Sequence, residues 1–114
     1  MHRLVLLAAL LTPGFAQAHA ILMASQPELG GTAAPGPVAM QFRFNSRIDR
    51  GRSRLTLTAP DAGQSVLPIA ADTAPDILRS TANLQPGDYT VRWQVLAVDG
   101  HITRGDVPFS VKAR

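Results

Sequence analysis

No cysteine occurs anywhere in this chain, which excludes disulfides, a thiolate metal site and a lipidated cysteine anchor. Its stability must come from packing. Aromatic residues are few, with one Trp and one Tyr, so no flat stacking surface for a sugar polymer is evident. Histidine is scarce as well: His2, His19 and His101 are the only three. No apolar repeat at helical spacing follows residue 18, which speaks against an α-helical domain. Nor does that part hold an apolar run of the length, about 20 residues, that a spanning helix requires.

One apolar run stands at the start. Met1-His2-Arg3 leads into an unbroken stretch from Leu4 to Leu11, and Ala16-Gln17-Ala18 ends the segment with small residues flanking a variable one. A charged start, a short apolar core and an Ala-x-Ala end, in that order, predict a cleaved secretory signal peptide over residues 1–18. Thr12, Pro13 and Gly14 break the run well before it could span a bilayer. Cleavage after Ala18 leaves residues 19–114, enough for one compact domain and too few for two. Removing Arg3 leaves ten Lys and Arg against eight Asp and Glu, a formal net charge of +2. That is too little for a nucleic-acid surface. The expected location is the periplasm, with no membrane anchor in the mature chain.

The rest of the sequence alternates short β-rich runs with Gly, Pro, Asn and Asp. This predicts an all-β fold with strands near Ala20–Ala24, Val38–Phe44, Ser53–Ala59, Ser65–Ala70, Ile77–Asn83, Tyr89–Val98 and Val107–Lys112. Seven short strands suit a sandwich. Pro27-Glu28-Leu29-Gly30-Gly31, Pro35-Gly36-Pro37, Asp61-Ala62-Gly63 and Pro86-Gly87-Asp88 carry turn chemistry. Tyr89, Val91, Trp93, Val95 and Ala97 share one parity, so they are the expected core face, with Thr90, Arg92 and Gln94 opposite. Leu84-x-x-Gly87-x-Tyr89-x-Val91-x-Trp93 is similar to the tyrosine-corner segment of immunoglobulin-like sandwiches. Trp93 is expected in the core, not at a site.

Once His2 leaves with the signal peptide, the mature chain keeps His19 as its first residue and His101. An N-terminal His offers its α-amine and ring Nδ1 to one ion, and a second imidazole makes three nitrogens. Neutral nitrogen donors in a planar or T-shaped arrangement favour Cu(II), which heads the divalent affinity order, whereas zinc prefers a tetrahedron. Asp99 and His101, in Val98-Asp99-Gly100-His101-Ile102, share the parity of Trp93 and point the same way if the strand continues. Asp99 could ligate directly or orient the imidazole; the spacing leaves both roles open.

Two separated motifs resemble the CopC-type periplasmic copper-binding proteins. One is His19-Ala20-x-Leu22-x-x-Ser25-x-Pro27-x-x-Gly30. The other runs from Leu84 through Trp93-x-Val95 to Asp99-Gly100-His101, Gly105 and Phe109-x-Val111. The resemblance spans essentially the whole mature chain. It implies a cupredoxin-like Greek-key sandwich holding one Cu(II) by the amine and ring of His19, by His101 and by Asp99, with a CopD-type inner-membrane copper transporter as partner. Three departures qualify it. Only Met23 and Met40 survive cleavage, with no Met-rich run for the Cu(I) site of some members; Asn45 follows Phe44 where a Glu is often found near the copper; and Ala97 replaces a common Ser.

Arg43, Arg47, Arg50, Arg52 and Arg54 form a basic segment. It reads first as a solvated strand and loop, and second as a docking patch for an acidic partner or an anionic membrane. Alternation of Arg50, Arg52 and Arg54 predicts three charges along one side of an edge strand. The expected function is a copper carrier and buffer in copper homeostasis or resistance, not an enzyme. A copper-dependent oxidative enzyme with an N-terminal His site and a metal-free immunoglobulin-like interaction module are the alternatives.

Overall fold

Period-two patterning builds two walls that face each other. Along Gly36–Phe44, Val38, Met40, Phe42 and Phe44 are buried while the residues between them face out. Along Gly87–Leu96, Tyr89, Val91, Trp93 and Val95 do the same, and Ala97 is buried beyond them, as the parity argument requires. The computed structural model describes residues 20–113, so the expected signal peptide and His19 lie outside the described residues.

The strands are β1 (Leu22–Gln26), β2 (Thr32–Ala33), β3 (Gly36–Phe44), β4 (Arg54–Thr58), β5 (Gln64–Leu67), β6 (Ile77–Leu84), β7 (Gly87–Leu96) and β8 (Ile102–Val111). One sheet has the order β1-β3-β6 and the other β2-β8-β7-β4-β5. The chain passes between sheets at most of its connections, giving the expected all-β, immunoglobulin-like and cupredoxin-like Greek-key sandwich. All seven expected strands are present. The addition is β2, two residues paired in parallel with Ser110 and Val111. It is too short to show a periodicity of its own.

Other differences lie at strand ends. The last strand begins at Ile102, five residues before the expected Val107. Its first half reads polar, but every residue from Ile102 to Val111 pairs with β7, so ladder hydrogen bonds hold what side-chain pattern does not announce. Within it Gly105 lies opposite Trp93, and a Cβ on Gly105 would collide with the indole. A glycine at this position leaves room for the ring to lie across the strand. At the other extreme β5 stops at Leu67, because Pro68 has no N–H for the ladder. Gly36 and Gly87 open strands instead of closing turns.

Between the walls, Trp93 meets Phe44 edge-on with centroids 5.2 Å apart, and Tyr89 stacks on Phe109 at 5.8 Å. The Tyr89 hydroxyl donates to the Gln85 carbonyl at 2.8 Å. That is the tyrosine-corner bond the motif predicted, and it ties the start of β7 to the connection from β6.

Candidate metal centre

At one end of the sandwich β7 turns into β8 through Val98, Asp99 and Gly100. Gly100 N–H donates to the Ala97 carbonyl at 3.0 Å, and Ala97 N–H donates to the His101 carbonyl at 2.9 Å. Gly100 has φ +88°, which a glycine reaches without the Cβ penalty. The pattern is a tight turn followed by a left-handed bulge residue, one of the common three-residue hairpin closures. Asp99 and His101 are therefore brought together by a turn and not by strand parity, because regular β7 ends at Leu96.

The turn clamps the imidazole in two ways. Asp99 Oδ1 accepts the His101 backbone N–H at 3.0 Å, and Asp99 Oδ2 lies 2.8 Å from His101 Nδ1. The carboxylate is the more sheltered partner, its side chain 22% exposed against 62% for the imidazole. A carboxylate that binds both the backbone and one ring nitrogen of a His fixes the ring's direction and favours the tautomer with the proton on that nitrogen. With the proton on Nδ1, the ring's in-plane lone pair sits on Nε2.

The first described residues are tied to the same end. Thr103, two residues beyond His101, donates its hydroxyl to the Ala20 carbonyl at 3.0 Å. Ala20 is itself buried. Ile21 and Asn45 exchange two bonds, Ile21 N–H to Asn45 Oδ1 at 2.7 Å and Asn45 N–H to the Ile21 carbonyl at 3.0 Å. Asn45, noted in the sequence only as a missing acid, thus anchors the start of the domain. No local signal in the sequence marks Thr103 for this role. Among the described residues no group of three or more His, Cys, Asp or Glu side chains converges, so Asp99 and His101 form a pair, and His19 falls outside the described residues.

Remaining candidates sort clearly. Met40 is fully buried and Met23 is exposed on β1, so the two thioethers do not share a surface. Trp93 is a core residue, as expected. The arginine segment departs from expectation: Arg50–Arg52 forms a short 3-10 turn, and Arg54 begins β4, which lies between β7 and β5 and is no edge. Arg50 is structural. Its guanidinium donates to the carbonyls of Ala71, Thr73 and Ala74 and to the Thr73 hydroxyl at 2.8–3.2 Å, holding the loop before β6 against the turn.

Residues 22–112 match the CopC domain family model. The chain is 34% identical over 112 residues to Protein YobA of Escherichia coli (strain K12), covering 95% of this chain and 90% of that protein. It is 29% identical over 113 residues to Copper resistance protein C of Pseudomonas syringae pv. tomato, covering 92% and 90%. Among solved structures, the crystal structure of CopC from Methylosinus trichosporium OB3b superposes with a TM-score of 0.74 at 23% identity, over 84% of this chain and 96% of that one.

Proposed function

The chain belongs to the CopC domain family, and on that premise we propose that it is a periplasmic Cu(II) carrier and buffer in copper homeostasis or resistance, and not an enzyme. One observation carries the reading: the Thr103 hydroxyl holds Ala20 by its carbonyl, two positions from His101. Consecutive Cα atoms are about 3.8 Å apart, so whatever residue precedes Ala20 is joined to the chain at the end of the sandwich that carries the Asp99–His101 pair. In the mature protein that residue is His19, exposed as the N-terminus by removal of the signal peptide 1–18. Its α-amine and Nδ1, with Nε2 of His101, supply three nitrogens to one Cu(II). Asp99 orients the His101 ring. A relative named for copper resistance supports the cargo, and a CopD-type inner-membrane transporter is the proposed recipient.

The test is the mass of the exported protein together with the EPR spectrum after one equivalent of Cu(II). A mass starting at His19 and an axial, nitrogen-rich type 2 signal are expected. Another N-terminus, or copper surrendered at once to a weak chelator, would overturn the proposal.

Two further outcomes follow from the ligand set. Asp99→Asn keeps an oxygen for the His101 N–H and removes the charged partner of the ring, so Cu(II) affinity is expected to fall by about 10–100-fold with the nitrogen hyperfine pattern retained. Competition against a chelator measures the first and EPR the second; a changed donor set would instead make Asp99 a ligand. Protons compete with the metal for the amine and both imidazoles, so affinity falls steeply as pH drops from neutrality toward about 4. A flat titration over that range would rule the ligand set out.

A further inference from the structure

The turn that carries Asp99 and His101 is also one wall of a cleft of about 840 Å³, lined by Ala97, Val98 and Gly100 on that side and by Arg47, Arg50 and Arg52 on the other. Asp49 is the single carboxylate of the lining. It is partly engaged, its Oδ1 accepting the Arg52 N–H at 3.2 Å while its Oδ2 lies only 3.9 Å from the 77% exposed Arg52 side chain. Among the described residues Arg47 has no carboxylate within salt-bridge distance. Cations therefore outnumber anions three to one in the cleft.

Beyond the turn, the outer face of the larger sheet continues the same charge. Arg54, Gln94 and Arg104 lie in register across β4, β7 and β8, and Arg104 Nε donates to Gln94 Oε1 at 2.8 Å. The nearby Asp106 is 3.3 Å from Arg92 and so leaves Arg54 and Arg104 uncompensated. Two exposed apolar side chains flank the Asp99–His101 pair in sequence, Val98 at 69% and Ile102 at 50% exposure, and Val98 lines the cleft.

We infer that this end of the sandwich is a docking face for an acidic protein segment, taken up in the Arg47–Val98 cleft beside His101; the inference rests on the carrier reading above. Charge complementarity selects the partner. Arg47, Arg54 and Arg104, none of them within salt-bridge distance of a carboxylate among the described residues, speed encounter with an acidic surface and orient it, and the exposed Val98 and Ile102 supply the apolar contacts that a recognition patch needs. A concave cleft accepts an extended chain, whereas a flat bilayer would reach only its rim. The face thus sets a partner next to the ion it is to receive.

The probe is a short fluorescein-labelled peptide alternating Glu and Leu, titrated into the mature protein by anisotropy, with and without one equivalent of Cu(II). Arg47→Glu is expected to weaken binding by about tenfold. Lys112→Glu, the same charge change at the end of β8 away from the turn, should change it less than about twofold. Cu(II) affinity, read separately by chelator competition, and the melting curve should be unchanged in both variants. Equal losses in the two variants would reduce the effect to net charge and overturn the inference. So would unaltered binding by Arg47→Glu, or Arg47-dependent binding to phosphatidylcholine–phosphatidylglycerol vesicles without binding to the peptide. Failure of the parent protein to bind Cu(II) would refute the carrier reading alone, since the metal-free titration still reads the docking face.

Discussion

One extra residue ahead of His19 is expected to weaken Cu(II) binding by more than about a hundredfold, beyond the range that loss of a supporting residue produces. In the proposed site the free α-amine and Nδ1 of one residue close a small chelate on the metal. Adding a residue turns that amine into an amide nitrogen, whose lone pair is delocalised into the carbonyl and which must lose its proton before it can bind copper. The imidazoles of His19 and His101 then remain, without the small chelate that joined amine and ring on one residue. The fold should not change, because Ala20 and Ile21 are held by Thr103 and Asn45 whatever precedes them. An unchanged thermal midpoint beside a lost affinity would isolate the amine as the cause. Equal affinity for extended and native proteins, measured by competition with a chelator of known strength, would remove the N-terminus from the ligand set.

Trp93→Ala is expected to cost about 3–5 kcal/mol in unfolding free energy, a large share of the roughly 5–15 kcal/mol that holds an ordinary domain together. The indole is 7% exposed, meets Phe44 edge-on and fills the space above Gly105. Since Gly105 has no side chain to move into the vacated volume, and β7 and β8 are locked in register along their whole length, the cavity has little means of collapse. Urea unfolding followed by circular dichroism measures the cost. A loss below about 1 kcal/mol would mean that the Trp93–Gly105 pair is not what closes this part of the core.

Much of this architecture was legible in the residues. Val38, Met40, Phe42 and Phe44 on β3, and Tyr89 through Ala97 on β7 and just past it, are buried on the parity that the sequence displays. Alternation is a local property, so it survives whatever partner the strand finds. The tyrosine corner was legible for a related reason, since Tyr89 bonds to Gln85, four residues away. Less was visible where partners, not pattern, make the strand. β2 exists because Ser110 and Val111 lie beside it, and the first half of β8 because β7 runs along it. The arginine alternation misled because Asp49 accepts from the Arg52 N–H and coils that stretch into a short turn.

The sequence by itself determined the fold class, the core faces, and the candidates Asp99, His101 and His19, all through residue types and local spacing. Only the tertiary structure decided that Asp99 grips His101 through a bulged turn, that Arg50 serves a loop more than 20 residues away, and that the domain's first residues meet Thr103. That last contact joins positions 83 apart. Neither residue carries a mark of the other, because their meeting follows from the way two sheets close on a shared core and from nothing in the neighbourhood of either.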